Sequence, residues 1–146
     1  MVYDQVNAMY NDNLTVGHVI VHKFYKENFP DLVSPCGNFT LAVLAIDGSY
    51  DKRGYHASHG ITFAFEVYTG IGLDKNATEK CFKCQNCDKF QTICPFNLFH
   101  GSSGQMEGEN AFHIFSRSEG FGFQYIKYVS DGDAKVFPRI QYIYGD

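Results

Sequence analysis

The sequence predicts an all-β fold, either an antiparallel β-sandwich or a barrel of about 6–8 strands. Three observations support this prediction. The 146 residues include 14 Phe, 10 Tyr and 14 Gly, a composition that suits pleated strands and the turns between them. Short apolar runs alternate with turn signals, and no stretch keeps a 3.6-residue period over a full helix length. No linker or internal repeat divides the chain, so residues 1–146 are predicted to form a single all-β domain.

The first half of the chain contains three predicted strands. Residues 14–25 are rich in β-branched side chains and predict the first strand, in which Gly17 indicates a bulge or a close backbone approach. Residues 38–46 are apolar at almost every position, which predicts a strand in the middle of a sheet, ended by the turn signal Asp47-Gly48. Residues 61–68 alternate most clearly. One face carries Ile61, Phe63, Phe65 and Val67, and the other carries Thr62, Ala64, Glu66 and Tyr68. One of these faces is predicted to point into the core and the other to be partly solvated.

The second half contains a predicted Gly/Ser-rich loop at residues 101–108, followed by strands at 110–116, 121–129 and 136–144. Asp131-Gly132-Asp133 is interpreted as the hairpin turn before the last strand. Pro138 cannot donate a ladder hydrogen bond, so that strand is predicted to lie at an edge or to carry a bulge.

A cysteine-rich crossover, residues 79–95, is the most distinctive stretch. Cys81, Cys84, Cys87 and Cys94 fall within fourteen residues, and Cys36 stands apart. Disulfides that staple the sandwich are favoured, with one unpaired cysteine that would allow a disulfide-linked homodimer. Zinc held by the same cysteines is the alternative, and otherwise no cofactor or metal is expected. The run also resembles part of a bacterial ferredoxin signature because Pro95 follows Cys94, although its last spacing is three residues longer.

Three N-x-Thr acceptor sites, at Asn13, Asn38 and Asn76, favour a secreted, N-glycosylated, extracellular protein. The N-terminus lacks a signal-peptide pattern, so a leader is expected to be absent or already removed. The net charge of −4, without a run of Lys or Arg, argues against nucleic acid as a partner. No apolar run is long enough for membrane insertion.

The predicted function is therefore recognition of a protein, or another macromolecule, through loops of the sandwich. The leading candidate surface is residues 49–60, in which Tyr50, Tyr55, His56 and His59 could form an adaptable contact loop. The alternative is an intracellular β-domain whose zinc knuckle mediates protein interactions.

Catalysis is not favoured by the residue patterns, and a metal-dependent enzyme that uses histidines ranks last. Asp47 to Asp51 does not fit a calcium-binding EF-hand loop. Glu107 and Glu109 fall in the predicted flexible loop, where solvation is their expected role. No catalytic residues are therefore assigned.

Overall fold

The chain forms a mixed α/β structure and not the predicted all-β sandwich. A computed structural model describes residues 2–36, 38–51, 57–81, 99–131 and 135–145. Within these residues, two short 3-10 helices, Pro30–Leu32 and Ser118–Phe121, accompany the main elements. Those elements are, in chain order, α1 (Val2–Asn28), β1 (Thr40–Tyr50), β2 (His59–Glu66), β3 (Gly72–Glu79), α2 (Ser103–Arg117), β4 (Phe123–Val129) and α3 (Phe137–Ile140).

The four strands form one mixed sheet in the order β3-β2-β1-β4. β1 pairs antiparallel with β2, and β2 pairs antiparallel with β3. β4 pairs parallel with β1, from Thr40–Phe123 to Ala45–Val129, with a bulge between Ala42 and Val43. A parallel neighbour requires a crossover connection, and α2 supplies the helix of that connection. The predictions of strands at 38–46, 61–68 and 121–129 are confirmed in position, as β1, β2 and β4.

One face of the sheet is buried under residues of α1 and α2. Ala42, Leu44 and Ile46 alternate along β1 on this face and belong to a cluster that also contains Val21 and Ile114. In β2 the buried face is the one with Thr62, Ala64 and Glu66, whereas Phe65 on the opposite face is 37% exposed. Burial of these polar side chains is possible because each finds a hydrogen-bond partner on a helix.

Two hydrogen bonds supply those partners. The Tyr25 hydroxyl in α1 donates to Glu66 Oε1 at 2.8 Å, and Asn110 Nδ2 in α2 donates to Thr62 Oγ1 at 3.2 Å. Glu66 also accepts from the Thr69 hydroxyl at 2.6 Å. The polar residues of β2 therefore attach both helices to the sheet.

Residues 14–25, predicted as a strand, lie inside α1. The buried residues Gly17, His18, Val21 and Tyr25 follow helical spacing, while Val16, Val19 and Ile20 face solvent. The β-branched residues therefore gave this helix a strand-like sequence, although only the residues on one face of the helix contact the core. Of the two alternatives predicted for Gly17, the structure shows the close approach, since a Cβ there would lie 2.9 Å from Ile71 Cγ2.

α2 replaces both the predicted loop at 101–108 and the predicted strand at 110–116. Polar residues of α2 form hydrogen bonds with side chains of β2 and β3. Asn110 Oδ1 accepts hydrogen bonds from Asn76 Nδ2 and from the Thr78 hydroxyl. Arg117 forms a bidentate pair with Asp74, at 2.6 Å from Nε and 2.9 Å from Nη2. These contacts explain why so polar a segment packs as a helix on the sheet.

The C-terminal segment also differs from its prediction. Residues 136–144 form α3 and the turns after it, with Pro138 in the first turn of the helix, a position that needs no N–H donor. Val136 and Ile140 are buried and join the core cluster.

No helix in the described part of the chain is long and apolar enough to cross a membrane, as the sequence predicted.

Candidate functional site

Two aspartates occupy matching positions at one end of β1 and β4. The last registered pair of these strands is Ala45–Val129. Asp47 stands two residues beyond Ala45, and Asp131 stands two residues beyond Val129. Both residues are exposed. Asp47 and Asp131 are called the carboxylate pair below. Each stands two residues beyond the last registered pair of these parallel strands, Asp47 still inside β1 and Asp131 just after β4. The carboxyl ends of parallel strands are a place where open α/β sheets bind their ligands.

A third carboxylate, Glu107 of α2, approaches the same end of β1 from the helix layer. Glu107 is buried, and its side chain packs against Gly48, the residue after Asp47. A Cβ on Gly48 would lie 3.3 Å from Glu107 Cδ. The Tyr50 hydroxyl is 3.4 Å from Glu107 Oε2. Because consecutive residues of a strand point to opposite faces, Glu107 lies on the face of the sheet opposite to the Asp47 side chain. No group of three or more His, Cys, Asp or Glu among the described residues is arranged to hold one metal ion.

The predicted contact loop is only partly described. Tyr55 and His56 lie outside the described residues, whereas Tyr50 ends β1 and His59 begins β2. His59 Nδ1 lies 3.0 Å from Ser58 Oγ and 3.3 Å from Asp51 Oδ2. Hydrogen bonds from the Ser58 hydroxyl and the His59 N–H hold the pKa of Asp51 well below its usual value.

This Asp51, Ser58 and His59 cluster is not a catalytic triad. A triad uses opposite ring nitrogens of the histidine for the serine and the aspartate, but here both oxygens lie near Nδ1. Asp51 Oδ1 instead accepts the backbone N–H groups of Ser58 and His59 at 2.9 and 3.1 Å. The cluster therefore fixes the start of β2 against the end of β1.

The cysteines are not cross-linked where the structure describes them. Cys36 is exposed, Cys81 is buried, and neither forms a disulfide, whereas Cys84, Cys87 and Cys94 lie outside the described residues. The backbone brings together the two ends of the cysteine-rich segment. Lys80 and Phe99 form a parallel bridge, and the Cys81 N–H donates to the Phe99 carbonyl at 2.9 Å. The prediction of a disulfide-stapled fold is therefore wrong for the described residues.

The predicted glycosylation asparagines have different surroundings. Asn13 is exposed on α1, and Asn38 is exposed before β1. Asn76 is half-buried, and both ends of its amide are occupied, Nδ2 by Asn110 at 2.8 Å and Oδ1 by Arg117 at 3.1 Å. A glycan on Asn76 would have to break this link between β3 and α2.

Sequence reasoning missed the carboxylate pair. Asp47-Gly48 and Asp131-Gly132 were interpreted as turn signals, Asp47 was also rejected as part of an EF-hand loop, and Glu107 was placed in a solvated loop. The available signal was an aspartate at or near the end of each of two apolar runs, residues 38–46 and 121–129. Its meaning depends on the parallel pairing of β1 with β4, which the sequence pattern did not reveal.

Comparison with known proteins gives one match. Residues 34–144 match the family described as Mutator-like transposase. No curated protein and no solved structure matches the chain. The matched range contains the whole sheet, α2 and both members of the carboxylate pair.

Proposed function

The chain belongs to the Mutator-like transposase family, and on that premise we propose that it forms the part of a transposase that binds divalent metal ions beside a DNA phosphodiester. The observation that carries this proposal is the carboxylate pair. Asp47 and Asp131 come from distant parts of the sequence, and each follows the last registered pair of β1 and β4 by two residues. Their oxygens are the hard ligands that Mg²⁺ and Mn²⁺ prefer.

Family membership corrects four predictions made from the sequence. Transposases act on DNA, so a secreted glycoprotein, an extracellular location, recognition of a protein as the main activity and the exclusion of nucleic acid are all overturned. The three acceptor asparagines did not outweigh this finding, since N-x-Thr triplets also occur by chance. The net charge of −4 was a poor guide because it sums over the whole chain and says nothing about one local surface.

The chemistry of DNA transposition is the breaking and joining of phosphodiester bonds. Bound divalent ions supply Lewis-acid stabilisation of the attacking and leaving oxygens in such reactions. Asp47 and Asp131 would each provide carboxylate ligands. The described residues offer no third ligand in the same group, so water or phosphate oxygens would complete the coordination, as Mg²⁺ commonly requires.

The proposal is tested by Asp47→Asn and Asp131→Asn, with Asp31→Asn in the first 3-10 helix as the matched control. Each of the first two substitutions removes one carboxylate without changing side-chain size. We expect Mn²⁺ binding, measured by calorimetry, to weaken at least about tenfold. We also expect loss of Mg²⁺-dependent nicking of supercoiled plasmid. Mn²⁺ binding by Asp47→Asn and Asp131→Asn equal to that of the control would reject the carboxylate pair as a metal site.

We also propose that Cys81, Cys84, Cys87 and Cys94 bind a structural zinc ion. Disulfides are rare where cellular DNA is handled, and thiolates at this spacing are typical zinc ligands. The buried position of Cys81, beside the bridge between Lys80 and Phe99, supports a cross-link at the base of the segment.

Zinc analysis of the purified protein tests this second proposal. We expect about one zinc per chain, lost in Cys84→Ser and kept in Cys36→Ser, because Cys36 lies outside the set. Four of the five thiols should react with a thiol reagent only after chelation. Reaction of all five thiols in untreated protein, with no zinc present, would contradict it.

A further inference from the structure

The side of α1 that points away from the sheet carries a row of exposed residues. Six residues form this row, called the outer face of α1 below: Met9, Asp12, Val16, Val19, Ile20 and Lys23. The four apolar side chains among them are between 48% and 66% exposed. α1 lies before residue 34, where the match with the family begins, so the match assigns no role to this surface.

The spacing along the outer face is that of a seam between paired helices. Asp12, Val16, Val19 and Lys23 follow one another at intervals of four, three and four residues. This alternation keeps side chains in one line along an α-helix and is the spacing of the contact positions in a coiled coil. The opposite side of α1 is the one that is buried in the core. A second helix can therefore pack on the outer face without disturbing the contacts between α1 and the sheet.

The order of charges along the outer face fits a second copy of the same helix that runs in the opposite direction. Asp12 precedes the two valines, and Lys23 follows them. In an antiparallel pair with its two-fold axis between residues 17 and 18, Asp12 of each chain lies level with Lys23 of the other. Val16 of each chain then lies level with Val19 of the other. A parallel pair would instead bring like charges together at both positions, which is unfavourable.

We propose that α1 is a dimerisation helix, which joins two copies of this chain through antiparallel contact of their outer faces. The proposal is independent of the carboxylate pair and adds a surface for self-association to the proposed function. Lys23 already has a neighbour, because its Nζ lies 3.9 Å from Glu27 Oε1. Both side chains of that pair are more than 60% exposed, so it contributes little and leaves Lys23 able to contact Asp12 of a second copy.

The size of the outer face sets the expected strength of the dimer. Four apolar side chains and one ion pair from each chain form a small interface beside the 1,200–2,000 Å² or so of a standard one. Each contact occurs twice, because a two-fold axis repeats it. We therefore expect a dissociation constant of about 10–100 µM.

Sedimentation equilibrium of the whole chain at concentrations of about 1–300 µM tests the inference. Asp12→Lys alone and Lys23→Asp alone each bring like charges together at two symmetric places. We expect each to weaken the dimer at least about tenfold. The double variant restores opposite charges at both places and should return to within about threefold of the wild type. Asp31→Lys, an equal change of charge at an exposed residue of the first 3-10 helix, should dimerise like the wild type.

The apolar centre of the seam is tested by combining Val16→Gln with Val19→Gln. Both valines are exposed, and glutamine favours a helix more than valine does. We expect the thermal stability of the fold to be retained and the dimer to be weakened at least about tenfold. Tyr142→Gln, at a residue that is 71% exposed in the turns after α3, is the matched control and should leave the dimer unchanged.

Three outcomes would overturn the inference. A wild-type chain that stays monomeric at about 300 µM would leave the outer face to a different protein. A dimer that survives the combined valine substitutions would place self-association on another surface. Failure of the double charge reversal to restore what each single reversal loses would reject the antiparallel arrangement. None of these outcomes changes the dependence of Mn²⁺ binding on Asp47, which tests the proposed function separately.

Discussion

At the scale of single residues, His22 shows how one side chain joins α1 to the sheet. Its ring stacks on Phe123 with centroids 4.1 Å apart. The Thr40 hydroxyl lies 2.7 Å from Nδ1, and the Phe121 carbonyl lies 3.1 Å from Nε2. Because a carbonyl only accepts, Nε2 carries the proton, and Nδ1 accepts from Thr40. Both ring nitrogens of His22 are used, which leaves neither to bind a metal ion.

The same residue makes stability depend on pH. Burial lowers the pKa of His22 below the ordinary value of about 6.5 that it has in the unfolded chain. The stabilisation of the fold by neutral His22 is therefore complete above a pH of about 6.5 and is lost as the pH falls. The reason is that protonation of Nδ1 breaks the hydrogen bond from Thr40. We expect the free energy of unfolding to fall between pH 7.5 and pH 5, and to fall less in His22→Gln. Urea titrations at both pH values measure this difference, with His113→Gln as the control. An equal fall in all three proteins would contradict the assignment to His22.

Residue patterns also set the limit of what the sequence could reveal about the site. Cysteine spacing, Asp-Gly steps and acceptor asparagines are local and could be read directly. The carboxylate pair is not local, because only the pairing of β1 with β4 relates Asp47 to Asp131. Glu107 was not recognised as a residue of the helix layer, because the glycines around it predicted a loop.

At the scale of elements, strands were easier to predict than helices. β1, β2 and β4 have apolar or alternating sequences that match their pleat, and their positions were predicted. α1 and α2 were missed for opposite reasons. α1 carries exposed Val16, Val19 and Ile20, so it looks like a strand, and α2 carries Gly104, Gly108 and Asn110, so it looks like a loop.

The glycines of α2 allow another segment to pack closely against the helix, and this packing outweighs their low helix propensity. A Cβ on Gly108 would lie 2.9 Å from the Lys135 carbonyl oxygen, and one on Gly104 would meet the lysine side chain. The segment after β4 can therefore pass directly against the helix. Tertiary packing of this kind overrides local propensity and cannot be recognised before the partner segment is known.

At the scale of the whole molecule, the residues that match the family do not include all of the residues that form the hydrophobic core. The match begins at residue 34, but Val21 and Tyr25 of α1 are completely buried in the same cluster as the sheet. Without Tyr25, Glu66 would lose a hydrogen-bond donor while remaining part of the buried face. α1 is therefore part of the structure that supports the site.

A deletion of residues 1–33 should consequently cost several kcal/mol of unfolding free energy, because loss of one large buried aromatic side chain alone costs about 3–5 kcal/mol. A deletion of residues 1–8 should change stability little, since Gln5 and Ala8 are exposed. Urea unfolding of the two shortened proteins beside the full chain measures both effects. Equal stability of the two shortened proteins would show that α1 is dispensable for the core.

The mixed sheet has a further consequence for the order in which the molecule assembles. β1, β2 and β3 pair with neighbours in sequence, so they can form early, whereas β4 must wait for most of the chain. During synthesis on the ribosome, β1 thus has an open edge that another nascent chain could occupy. The arrival of β4 both closes that edge and brings Asp131 level with Asp47. Protection from aggregation and assembly of the carboxylate pair are therefore the same late event in folding.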